Sequence, residues 1–63
     1  MWRISYLNLN NDKVEQKGGF NSDKEAIAWM ENQEAEGNIV ALKLLVWSEY
    51  LQSYRTVVDI GSN

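Results

Sequence analysis

Catalytic chemistry has few carriers in this chain. Histidine and cysteine are absent, so there is no imidazole to serve as a base and no thiolate to serve as a nucleophile. Glu31 and Glu34 fall on neighbouring turns of a polar segment. A working acid–base pair needs a shielded pocket to drive its two pKa values apart, so these glutamates are expected to be a solvated surface. Asn10-Asn11-Asp12 holds one carboxylate and reads as turn chemistry rather than a cation site. No catalytic residue, metal, cofactor or small-molecule substrate is expected. Binding chemistry is better supplied. Arg3, Lys43 and Arg55 are three of the six basic residues, and strand alternation assigns them to one face with Leu45, Trp47 and Val57. Tryptophan and arginine are frequent anchors of protein interfaces. A basic-aromatic face can also stack single-stranded bases.

Those residues need strands to hold them. Met1 to Leu9 alternates, with Trp2, Ile4 and Tyr6 on one side and Arg3, Ser5 and Leu7 on the other. The turn Asn10-Asn11-Asp12 leads to a weaker strand, Lys13 to Phe20, whose apolar members are Val14 and Phe20. Gly18-Gly19 within it marks a bulge or a sharp exit. Ser22-Asp23-Lys24-Glu25 is a capping box, with Ser22 as the N-cap and Glu25 reaching back to the Ser22 amide. The helix should run to about Glu36 and end on Gly37 in the left-handed conformation. Its apolar members are Ala26, Ile27, Trp29 and Met30. A β-branched and aromatic stretch from Ile39 to Ile60, broken by the polar turn Ser48 to Gln52, reads as a second hairpin.

Alternation gives Val40, Leu42, Leu44 and Val46 to the core, and Ala41, Lys43, Leu45 and Trp47 to the opposite face. On the last strand it gives Ser53, Arg55, Val57 and Asp59 to that same opposite face. Ile27 and Met30 are then expected to cover Ile4, Leu42 and Leu44. The order β-β-α-β-β predicts an α+β fold, a four-stranded antiparallel sheet with one helix on one face. Strand order 2-1-3-4 puts the two most hydrophobic strands at the centre. The alternative, 1-2-4-3, leaves the richest strand on an exposed edge, which proteins avoid.

Sixty-three residues allow one small domain, 1–63. A chain of this size buries only about 60% of its unfolded surface. Without cysteine or histidine, disulfides and most metal sites are removed as aids. What remains is a well-packed minimal core or self-association, so a homodimer is an expected state. The net charge of −3 disfavours a protein whose affinity comes mainly from neutralising phosphates. Asp23, Glu25, Glu31, Glu34 and Glu36 all belong to the helix, which makes the molecule dipolar. No apolar run approaches the ~18 residues of a membrane span, and the N-terminus lacks a signal-peptide core. A cytoplasmic location is expected, with no membrane partner.

Trp2-Arg3-Ile4-Ser5-Tyr6 and Lys17-Gly18-Gly19-Phe20-Asn21-Ser22-Asp23-Lys24-Glu25-Ala26 resemble the start of the arm-type DNA-binding domains of phage-type tyrosine recombinases. The resemblance covers residues 2–31: an aromatic first strand, a Gly-Phe step and a capped helix. It implies mobile-element ancestry. The family's second strand and its turn are rich in Lys and Arg for groove contact, whereas here they read Asn-Asp-Lys-Val-Glu-Gln-Lys, and residues 39–60 have no counterpart there. DNA binding is therefore not carried over. The expectation is a small non-enzymatic protein of bacterial or phage type that binds another protein, or a second copy of itself, through Arg3, Lys43, Leu45, Trp47, Arg55 and Val57. Such a protein would be a dimer subunit or a compact inhibitor. Nucleic-acid binding by the same face is the alternative.

Overall fold

A computed structural model describes residues 1–61; Ser62 and Asn63 of the expected domain lie outside the described residues. The elements are β1 (Trp2–Asn8), β2 (Lys13–Phe20), α1 (Asp23–Ala35), β3 (Ile39–Ser48) and β4 (Ser53–Asp59). They form an α+β fold with one antiparallel sheet in the order β2-β1-β3-β4. The preferred strand order is the observed one, and the strands richest in apolar residues occupy the middle.

The local chemistry follows the residues. Asn8 Oδ1 accepts from the Asn10 amide at 2.9 Å and Asn11 Oδ1 from the Lys13 amide at 3.0 Å, so the first turn is held by its own asparagines. Ser22 Oγ accepts from the Glu25 amide at 3.2 Å. The Glu25 carboxylate closes the box one residue earlier than expected, on the Asn21 amide at 3.4 Å. At the other end the Asn38 amide donates to the Gln33 carbonyl and the Gly37 amide to the Glu34 carbonyl, both at 3.0 Å. That Schellman motif needs a left-handed residue at its centre, and Gly37 supplies φ +75°.

The core lies between α1 and the sheet. Ile4, Phe20, Ala26 and Leu44 are buried in it, with Trp2, Tyr6, Ile27, Trp29, Met30 and Ile60 packed around them. Trp29 lies tilted against both Tyr6 and Phe20, with ring centroids 5.4 and 5.8 Å apart. Burial raises the Tyr6 pKa, and the neighbouring Glu15 carboxylate adds to that. The helix packs on β1, β2 and β3 but not on β4. Geometry explains the shortfall: a helix is about 10 Å across and strands are spaced about 4.8 Å apart, so one helix cannot cover four strands.

Bulges correct two of the face assignments. Ser5 pairs with Lys43 but Tyr6 with Ala41, so Leu42 is an extra residue in β3. The phase of the strand therefore inverts before it. Ile39 and Ala41 turn to the helix side and are buried, while Val40, expected in the core, faces the other way and is 42% exposed. Leu42 is half-buried at the bulge rather than under Ile27; its carbonyl accepts from the amides of Ile60 and Gly61. Beyond the bulge Leu44 and Val46 face the helix as expected, opposite Ile4 and Trp2. The Glu34 carboxylate also departs from the reading. It accepts from the Ala41 amide at 3.1 Å, tying the helix to the bulged strand.

Candidate interaction surface

On the side of the sheet away from α1, β1 presents Arg3, Ser5 and Leu7, and β3 presents Val40, Lys43, Leu45 and Trp47. The second hairpin decides the rest. Ser48 pairs with Ser53 across Glu49 to Gln52, which sets Trp47 opposite Tyr54 and Val46 opposite Arg55. Cross-strand partners share a face, so Tyr54 and Thr56 lie on the outer side. Ser53 and Arg55 lie on the helix side, against the expectation. The four-residue turn fixes that phase. A second bulge then inserts Val57, since Leu44 pairs with Val58 and Leu45 with Thr56, and it returns Asp59 to the outer face opposite Lys43.

The result is a compact group at one end of this face. The Arg3 guanidinium carbon lies 4.1 Å from the centre of the Tyr54 ring, and Trp47 meets Tyr54 edge-on with centroids 5.4 Å apart at 74°. Both geometries are attractive: a cation over a ring face, and an electropositive ring edge against a neighbouring π system. Arg3 belongs to β1 and Tyr54 to β4, so their contact passes over the intervening β3. That is why Leu45 is only 8% exposed although no second layer among the described residues covers the face.

Arg3 Nη1 donates to Gln16 Oε1 on β2 at 3.1 Å. Its Nε is buried without a partner beside Gly18, where a β-carbon would come within 3.3 Å of that nitrogen. The glycine makes room for the arginine to lie flat. Cross-strand packing and a cation–π contact thus orient Arg3 across all four strands of the sheet.

Of the six expected residues, the fold brings Arg3, Leu45 and Trp47 together, with Leu45 as a buried floor rather than a contact residue. Lys43 is exposed on the same face, next to Asp59, which offsets its charge. Val57 is exposed at the bulge, and Arg55 is on the other side of the sheet. Tyr54 is the member that the sequence reading missed. Counting back across the four-residue turn from Trp47 would have found it.

Comparison of the chain with models of protein families, with curated proteins and with solved structures gave no match. No helix among the described residues is long and apolar enough to cross a membrane.

Proposed function

We propose that the chain is a non-enzymatic binding protein of bacterial or phage type, acting in the cytoplasm, whose working surface is the outer sheet face. The observation that carries this reading is the Arg3–Tyr54–Trp47 group, laid over Leu45 on a face that no other element among the described residues covers. Exposed apolar and aromatic surface of this kind marks interfaces, and Trp, Tyr and Arg are the residues whose truncation costs most at them. The partner class is protein, a second copy included. The absence of histidine and cysteine supports a binding role over a catalytic one.

Nucleic acid is the other reading, and Tyr54 adds a second aromatic to the stacking face. Against it, Arg55 has left that face and Lys43 faces Asp59, which leaves little uncompensated positive charge for a backbone. Trp47→Ala and Arg3→Ala should each weaken binding to the partner at least tenfold while the fold survives. Binding should change little between low and physiological salt. Micromolar affinity for a single-stranded oligonucleotide, falling steeply with salt and lost in Arg3→Glu/Lys43→Glu, would replace this reading with the nucleic-acid one.

A further inference from the structure

β2 and β4 are the edges of the sheet, and an edge carries a row of backbone donors and acceptors that another strand can pair. On β2 that row can be placed. The Leu9 amide donates to the Asn38 carbonyl at the entry to β3, so the odd-numbered residues of β1 turn their backbone to β3 and the even-numbered ones to β2. The partners of Asn8, Tyr6 and Ile4 are Lys13, Glu15 and Lys17, which therefore face β1. Val14 and Gln16 hold their amides and carbonyls toward the open side. Gly18 continues the row, and the bulge at Gly19, left-handed at φ +85°, ends it.

The side chains select the strand that fits. A second copy pairing around a two-fold axis must run antiparallel, with open residues meeting open residues. With Glu15 on the axis, Glu15 meets its own copy and Lys13 meets Lys17. With Lys17 on the axis, two lysines meet. Like charges directly opposite destabilise paired strands. With Val14 on the axis, Lys13 meets Glu15, but Gln16 and Lys17 then run past the turn residues Asp12 and Asn11. With Gln16 on the axis, Glu15 meets Lys17 of the second copy on both sides of it, and Val14 meets Gly18. Two features prepare that register. The Glu15 carboxylate is held in place by Asn8 Nδ2 and Asn11 Nδ2, both at 3.0 Å, so little freedom is lost when a lysine reaches it. Gly18 has no side chain beside Arg3, which leaves room there for Val14 of the second copy, a residue 65% exposed in the single chain.

We propose that the chain forms a symmetric dimer by pairing β2 with β2 of a second copy, antiparallel and centred on Gln16. The sheet then runs unbroken through both copies, with both helices on one side and both outer faces on the other. The charges that guard this edge against a foreign strand are the ones that admit its own. The pairing is independent of what the outer face binds.

Light scattering over a concentration series of the full chain should show the dimer. Lys17 is exposed and its replacement leaves the Glu15 hydrogen bonds alone, so Lys17→Glu should melt cooperatively yet raise the dimer Kd roughly tenfold. Glu15→Lys should do the same. An equal mixture of the two variants should dimerise again, because every opposed pair is then lysine with glutamate. The chain has no cysteine, so an introduced one reports the register. Gln16→Cys should form a disulfide between copies on mild oxidation, the opposed Cα atoms being about 5.5 Å apart. Val14→Cys should not. A wild type that is monomeric at its highest soluble concentration, a variant mixture that stays monomeric, or a disulfide at Val14→Cys in preference to Gln16→Cys would overturn the proposal. So would a dimer lost in Trp47→Ala and kept in Lys17→Glu, which would put self-association on the outer face instead. A dimer kept in Trp47→Ala and lost in Lys17→Glu supports the edge pairing, whatever the outer face proves to bind.

Discussion

The two hairpins share a plan and differ in what they leave for water. In the first, the fold accounts for the polar residues: Asn8, Asn11 and Tyr6 all donate to the Glu15 carboxylate, and the turn asparagines bind their own backbone. In the second, the fold accounts for Ser48, Gln52 and Leu45 but leaves Trp47, Tyr54, Tyr50 and Leu51 partly or wholly to solvent. β2 is an edge strand guarded by Lys13, Glu15, Lys17 and a glycine bulge, whereas the β4 edge carries Thr56, Val57 and Val58 in the open. Charge and bulges are the usual means of blunting an edge, and β4 has one bulge and two charged residues, Arg55 and Asp59. Large apolar residues are left to solvent in both hairpins, Leu9 and Val14 in the first and Tyr50, Leu51, Val57 and Val58 in the second; what sets the second apart is the aromatic group of Trp47, Tyr54 and Tyr50, and that contrast is the main argument for where the molecule works.

The most severe way to break the comparison is to separate the hairpins. Ile4 and Leu44 are cross-strand partners in the central pair and both are buried. Leu44→Ala should cost about 2–5 kcal/mol, enough to unfold so small a domain. Ile4→Val should cost roughly 1 kcal/mol and give a shifted but cooperative thermal melt. A Leu44→Ala melt close to wild type would show that the two hairpins hold together by other means.

Next in size is the link between α1 and the bulged strand. Glu34→Ala should lose about 1–2 kcal/mol in urea unfolding, because the Ala41 amide loses a charged acceptor. Glu34→Gln retains an acceptor oxygen and should recover most of that loss. Equal destabilisation by the two would mean that the carboxylate acts by charge and not by its hydrogen bond.

A smaller effect belongs to the first hairpin alone. Hydrogen bonds from Asn8 and then Asn11, with smaller help from the Tyr6 hydroxyl and the Lys13 charge, hold the Glu15 carboxyl below its ordinary pKa. A folded-state pKa that is depressed contributes stability above the unfolded value, and that contribution is lost as pH falls through the folded one. Urea midpoints measured from about pH 7 to about pH 3 should therefore decline less steeply in Glu15→Gln than in wild type. Parallel curves would remove Glu15 from the account.

The smallest prediction compares the turns directly. Gln52 sits in the left-handed region without the tolerance that aspartate has for it. Gln52→Gly should gain roughly 0.5 kcal/mol, the relief of strain being partly offset by the lost bond to Glu49. Asp12→Gly should leave the melting temperature nearly unchanged. A larger gain at 12 than at 52 would show that the strain sits in the first turn.

Element order, sheet order, the Ser22 cap and the Gly37 stop were legible because each is local chemistry or the pairing of whole strands. The phase of individual strands was less so. A period of two carries a reading faithfully until one residue is inserted, and neither Leu42 nor Val57 differs in type from its neighbours. Alternation was right for Lys43, Leu45 and Trp47, and wrong for Val40 and Ala41 on the far side of the first bulge. Arg55 was misplaced for a different reason: turn length, not alternation, sets the face on which a returning strand begins. The burial of Leu45 lay beyond sequence reading altogether, since it depends on Arg3 reaching across β3 to Tyr54.

That α1 stops short of β4 has a consequence for how the molecule opens. β4 is held by its ladder to β3 and by few buried side chains, and Val58 on its helix side is 48% exposed. Regions with few buried contacts open locally at a lower cost than the whole chain does. In native-state hydrogen exchange the β4 amides paired to β3, together with the β3 amides that donate to β4, should exchange earliest of the paired strand amides, by an opening that leaves α1 and the β1–β3 ladder protected. Tyr54, and with it the hold on Arg3, would come and go with that opening. A partner that clamps Tyr54 would slow exchange along the whole of β4, including amides it never touches.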